Sequence, residues 1–145
     1  MKILLLSDVD SGGGADIAAY RIYQAILSKK IDCNLLVKNK TRNDIRIIKL
    51  INKFPIRVLY KFLFKIESVI LNSYKEKSDT HFTIDYLPFG SLIKTIKKID
   101  PDIVYINYIN GMIHLEDFKK INKPIVWTMH DMWRFTGGCH YTEYC

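Results

Sequence analysis

The opening of the chain constrains its fold most. Residues 2–7, KILLLS, are a continuous apolar run with no polar alternation. A strand of that kind is buried on both faces, which is the habit of a parallel sheet. A glycine-rich turn, Asp8–Gly14, follows it. Ala15–Ser28 then sets Ala15, Ala18, Ala19, Ile22, Ala25 and Ile26 at helical spacing, and Cys33–Val37 is a second apolar run. Strand, turn, helix and strand make a βαβ unit with a right-handed crossover.

The alternation resumes further on. Ser91–Ile99 predicts a short amphipathic helix, ended by Asp100-Pro101. Ile103–Asn107 predicts a strand, Leu115–Ile121 a short helix and Ile125–Met129 another strand. The fold class expected is α/β, a parallel sheet flanked by helices. The middle is less regular. Asn52 and Pro55 suit a helix start, an apolar arc dominates Ile56–Leu71, and Lys75–Thr83 is a polar loop. With 145 residues there is room for one domain with a real core and not for two. The chain stops at Cys145, just after a strand and a glycine turn, so the expectation is a domain incomplete at its carboxyl end.

Composition excludes several classes. Apolar residues are 48%, which argues against disorder. Asp8 and Asp10 interrupt the first run too early for a signal peptide, and no stretch has the length of a membrane span. Three cysteines, an odd number, point to a reducing compartment and no disulfide framework. The net charge of +7 is concentrated: residues 38–77 hold eleven Lys/Arg against three Asp/Glu, while the rest hold eleven against twelve. Such a segment attracts phosphates on lipid, nucleotide or nucleic acid. Within it Arg57, Lys61 and Lys65 form a basic stripe, with Phe54, Tyr60, Phe62 and Phe64 as aromatic anchors. This fits peripheral contact with an anionic membrane, and equally a core helix with a solvated stripe. No nucleic-acid motif is present, and none is expected as a partner.

Three features can carry chemistry. Gly12, Gly13 and Gly14 let backbone approach a ligand closely, and a helix start behind them favours an anion; the alternative is a plain flexible connection. The turn is not the dinucleotide fingerprint, because Ile17 stands at the third glycine position, nor a P-loop, because no Gly-Lys-Ser/Thr follows. Thr128–Asp131 lies at the carboxyl end of a predicted strand, where open α/β sheets bind ligands. There His130 can hydrogen-bond a sugar hydroxyl or a leaving-group oxygen, and Asp131 can orient it or hold a second hydroxyl; a structural histidine fits the position as well. Cys139, His140 and Cys145 could begin a zinc site, but the adjacency of the first two favours a tight loop with free thiols, and no metal is assigned.

Three segments together resemble a known family: KILLLSDVDSGGGADIAAYRIYQAIL at the start, PDIVYINYING at Pro101–Gly111, and PIVWTMHDMWRFTGGCHY at Pro124–Tyr141. They look like the amino-terminal domain of bacterial family 4 glycosyltransferases that make surface polysaccharides; residues 38–90 match weakly. The resemblance implies a GT-B architecture, two Rossmann-like domains with the active site between them. Residues 1–145 would be the acceptor-side, amino-terminal half, with the carboxyl-terminal donor-binding domain absent and the fragment inactive alone. It implies hexosyl transfer from a nucleotide sugar to a saccharide or lipid-linked acceptor, with retention and without cofactor or essential metal. His130 and Asp131 would be catalytic, and Gly12, Gly13, Gly14, Asn110 and Gly111 substrate-binding. The location implied is cytoplasmic, peripheral on the inner membrane face. The family's acidic donor motif is missing, further cysteines found in relatives soon after Cys145 are missing, and Arg134 stands where relatives often have proline. An alternative without the resemblance is a stand-alone α/β module that binds a phosphorylated ligand through Gly12–Gly14.

Overall fold

The opening run becomes the middle strand of a parallel sheet. The computed structural model describes residues 1–50, 65–66, 69, 73, 90–109, 112–113 and 115–141. They belong to two units, one of Met1–Ile51 with Pro88–His130 and one of Asn52–Leu87 with Asp131–Cys145. The first unit contains β1 (Lys2–Val9), α1 (Gly14–Ser28), β2 (Asp32–Asn39), β3 (Ile47–Lys49), α2 (Gly90–Ile99), β4 (Ile103–Ile106), α3 (Leu115–Phe118) and β5 (Ile125–Trp127). The sheet order is β3-β2-β1-β4-β5 with every pairing parallel. This is the order of a doubly wound, Rossmann-like fold.

Burial on both faces explains the missing alternation in β1. Leu4 and Leu6 face one core with Leu92, Ile93 and Ile96 of α2, while Ile3 and Leu5 face another with Ala19 and Tyr23 of α1. Leu4, Leu5 and Leu6 are completely buried. Each contributes about 1.5–3 kcal/mol by leaving water. Leu5 pairs with Leu35 on one side and Tyr105 on the other, so β1 carries ladders along both edges.

α1 and α2 each end where a residue enters the left-handed region. At the end of α1 the Lys30 amide donates to Leu27 O and the Ile31 amide to Ile26 O, with Lys30 at φ 60°. That is the Schellman arrangement with lysine where glycine is usual. Asp100 at φ 49° stops α2, and its amide donates to Ile96 O at 2.9 Å.

Several boundaries differ from expectation. β1 and β2 run on past Ser7 and Val37 to pair Val9 with Asn39. The polar pair Asp8 and Lys38 is accommodated there by an ion pair of 2.7 Å. β3 was not foreseen, since three residues inside a basic stretch show no period. α3 and β4 end earlier than expected, and β5 stops at Trp127. In the second unit α4 (Trp133–Thr136) forms where only a loop was expected. The proposed helix start at Asn52 and Pro55 lies outside the described residues. Among the described residues no helix is long and apolar enough to cross a membrane.

Candidate functional site

Parallel pairing sends every carboxyl end of the sheet to one rim. Within the first unit, β1 leads there to the glycine turn, β4 to Asn107, and β5 to Thr128–His130. β4 lies between β1 and β5, so two strand spacings, roughly 10 Å, separate the glycine turn from the end of β5.

The glycine turn is held from below by carboxylates. Gly12 has φ 149°, a conformation that side chains rarely adopt, and a Cβ there would meet Asp16 Oδ2 at 3.2 Å. Gly13 is the N-cap of α1 with extended backbone and no side-chain capping bond, and Gly12–Gly14 are exposed. Asp16 Oδ1 accepts from Ser7 Oγ at 3.2 Å and from the Val9 amide at 3.3 Å. Burial pushes its carboxyl above the usual range; the Val9 amide and Ser7 hydroxyl oppose this, and the charge of Asp8 adds to it. Its place in the first turn favours the helix dipole.

Asp10 ties the turn to the loop after β2. It is completely buried. It accepts from the Thr41 amide at 2.8 Å, the Thr41 hydroxyl at 2.7 Å and the Arg42 amide at 2.7 Å. Ser11 Oγ lies 2.7 Å from Thr41 Oγ1, and since Thr41 donates to Asp10, Ser11 donates to Thr41. Arg42 Nε donates to Asp10 O, and its guanidinium lies 4.0 Å from the centre of the Tyr20 ring. Asp10, Thr41 and Arg42 were not singled out from the sequence. A separation of 31 residues leaves no local pattern, although a charged residue closing an apolar strand was a cue.

At the other end of the rim His130 is exposed, and its Nε2 lies 3.3 Å from Asn107 Oδ1. Asn107 is 2% exposed and was likewise missed. Its cue was position, as the first polar residue after the apolar run of β4. Thr128 Oγ1 bonds Tyr105 OH at 2.9 Å, and the Thr128 amide extends the β4–β5 ladder to Ile106 O. Among the described residues the rim thus offers backbone amides, hydroxyls and the His130 imidazole.

Asp131 belongs to the second unit, where its partner is His140. His140 Nδ1 lies 2.6 Å from Asp131 Oδ2, and both side chains are nearly buried. The His140 ring stacks on Trp133, and the Arg134 guanidinium lies 3.5 Å from the centre of the Trp133 ring. Gly137 takes φ 75° after α4, and the Thr136 hydroxyl bonds Cys139 O. The aspartate therefore closes a loop of its own unit. Cys145 lies outside the described residues. Among the described residues no three His, Cys, Asp or Glu side chains converge on a point that would hold a metal. Asn110, Gly111, Arg57 and Lys61 also lie outside the described residues, while Lys65 is exposed in a helical position.

No curated protein and no solved structure matches the chain. Residues 2–143 do match one family, described as glycosyl transferase 4-like. The match spans nearly the whole chain, including the glycine turn and the His130 strand end on one sheet rim, and on that ground this protein belongs to the glycosyl transferase 4-like family.

Proposed function

We propose that this chain is the amino-terminal, acceptor-side half of a GT-B hexosyltransferase, and that the Gly12–Gly14 turn and His130 form one wall of its substrate cleft. The carrying observation is the common carboxyl rim of β1, β4 and β5, with Asn107 beside His130. Such a rim is where open α/β sheets take ligands. The donor is a nucleotide sugar and the acceptor a saccharide or lipid-linked sugar in surface-polysaccharide synthesis, as the family resemblance implies. Asn110 and Gly111, a few residues past β4 in the sequence, add substrate contacts.

The chemistry is transfer with retention, by front-face attack of an acceptor hydroxyl on the anomeric carbon. The departing phosphate takes the hydroxyl proton, and a new glycosidic bond replaces the sugar–phosphate bond. Little covalent work falls to the protein. Rate comes from placing the reactants and from dipoles that meet charge as it develops. Backbone amides of the glycine turn supply such dipoles, and His130 holds a sugar hydroxyl. A cytoplasmic protein with Arg57, Lys61 and Lys65 against anionic headgroups would meet a lipid-linked acceptor at the membrane face.

Amide shifts of the labelled chain, recorded with a panel of nucleotide sugars and saccharide acceptors, test the site. Shifts gathered at Gly12–Gly14, Asn107 and His130 are expected. No shift there at millimolar ligand, or His130→Ala transferring at the wild-type rate in the complete enzyme, refutes it. A stand-alone phosphate-binding module would instead respond to inorganic phosphate alone.

A further inference from the structure

Asn107 is placed with unusual economy. It is the first residue after β4, and its backbone amide donates to Leu6 O at 3.0 Å, continuing the β1–β4 ladder past the strand. Its side chain is buried, with Oδ1 directed to His130 Nε2 at 3.3 Å. Its Nδ2 is also buried and meets no acceptor among the described residues. The contact with His130 is the hydrogen bond this side chain makes among the described residues.

That bond dictates where the imidazole proton sits. An amide oxygen only accepts, so Nε2 must carry the hydrogen. In the neutral ring the other nitrogen, Nδ1, is then a bare lone pair. The reversed amide would make the opposite demand: Nδ2 would donate to Nε2, and Nδ1 would carry the proton.

We infer that Asn107 is a positioning residue that fixes His130 as the Nε2–H tautomer and so makes its Nδ1 an acceptor for a sugar hydroxyl. The inference rests on the reading that a sugar occupies this rim. Its consequence is chemical selectivity. A bare Nδ1 accepts from an O–H and has nothing to offer an ionised phosphate oxygen or a carbonyl, both of which only accept. His130 therefore addresses the polyol part of a substrate, leaving phosphate to the backbone amides across the rim. A site built to bind a hydroxyl discriminates strongly against the analogue that lacks it.

Long-range 1H–15N correlation of the imidazole nitrogens, on the full chain at a pH where the ring is neutral, reads the tautomer directly. The urea-unfolded chain supplies the ratio for an unconstrained ring. The native ratio of Nε2–H to Nδ1–H is expected to exceed the unfolded one about fivefold, the equivalent of one hydrogen bond of about 1 kcal/mol. In Asn107→Leu, with β1 and β2 amide shifts retained, it should fall back to the unfolded value. A native ratio equal to the unfolded ratio, or a native ring protonated at Nδ1, overturns the assignment with no variant needed. A ratio unmoved by Asn107→Leu overturns it too. The readout uses no substrate, so it fails separately from the transfer assay: normal transfer by His130→Ala, with the tautomer as stated, sinks the sugar-site reading alone.

Discussion

Replacing Asp10 with asparagine tests the polar knot beside the glycine turn. Its carboxylate collects the Thr41 and Arg42 amides and the Thr41 hydroxyl at 2.7–2.8 Å, in complete burial. Burial by itself would raise the carboxyl, but the Arg42 amide, the Thr41 hydroxyl and the Thr41 amide outweigh it and hold the group below the usual carboxylate range. Asp10→Asn removes the charge and turns one acceptor oxygen into a donor facing donors. Bonds to a charged group are worth about 1.5–3 kcal/mol each, but Thr41 and Arg42 are exposed, and water recovers part of the loss. A net cost of about 2–3 kcal/mol follows, well short of the sum. With a urea slope of about 2 kcal/mol per molar, the midpoint at pH 7 should drop by about 1–1.5 M. The pH dependence fixes the cause. The folded value lies below the unfolded one, so the stabilisation is complete above about pH 4 and is lost as pH falls through the folded value. Urea unfolding of both proteins between pH 7 and pH 2 should show the gap closing from the acid side of pH 4. A gap under about 0.5 kcal/mol at pH 7, or one that is constant with pH, refutes the reasoning.

Further outcomes follow from neighbouring residues. Gly12→Ala should cost about 1–3 kcal/mol, because φ 149° is strained for a side chain and Asp16 Oδ2 stands 3.2 Å from the new Cβ. Gly14→Ala, whose Cβ meets nothing within 4 Å, should instead hold or raise the thermal midpoint while weakening ligand binding at the turn. Lys30→Gly should stabilise by about 0.5–1 kcal/mol, since lysine there occupies the left-handed position of the Schellman turn. Burial pushes the Cys33 thiol up to about 12, with the Asp32 charge adding to it, so in a Cys139→Ser/Cys145→Ser variant a thiol reagent at pH 8 should find no reactive group until the chain unfolds.

What could be read along the chain follows the range of the signal. β1, α1 and α2 show as an unbroken apolar run or as spacing of three and four, because each buries a continuous face. β3 has three residues set among charged ones and α4 four beside a glycine pair, so neither shows the apolar run that marked the equally short β5. The glycine turn was legible as a run of three glycines, of which Gly12 takes a conformation that side chains rarely adopt, and His130 by its place shortly after β5. Asp10 with Thr41, Asn107 with His130 and Asp131 with His140 were not, since partners separated by 31, 23 and 9 residues leave no joint mark on the sequence.

The sequence alone determined that strands and helices alternate and that the first strand is buried on both faces, and from these a parallel sheet whose carboxyl ends gather at one rim. It was silent on strand order, because one set of apolar strands buries much the same surface whichever neighbours it takes. Only tertiary packing put β4 between β1 and β5, and with it Asn107 beside the His130 imidazole. Hydrophobic burial is non-directional and leaves the choice of neighbours open; pairing register and the fit of helices onto each face make that choice, and with it the hydrogen bond that sets the proton on His130.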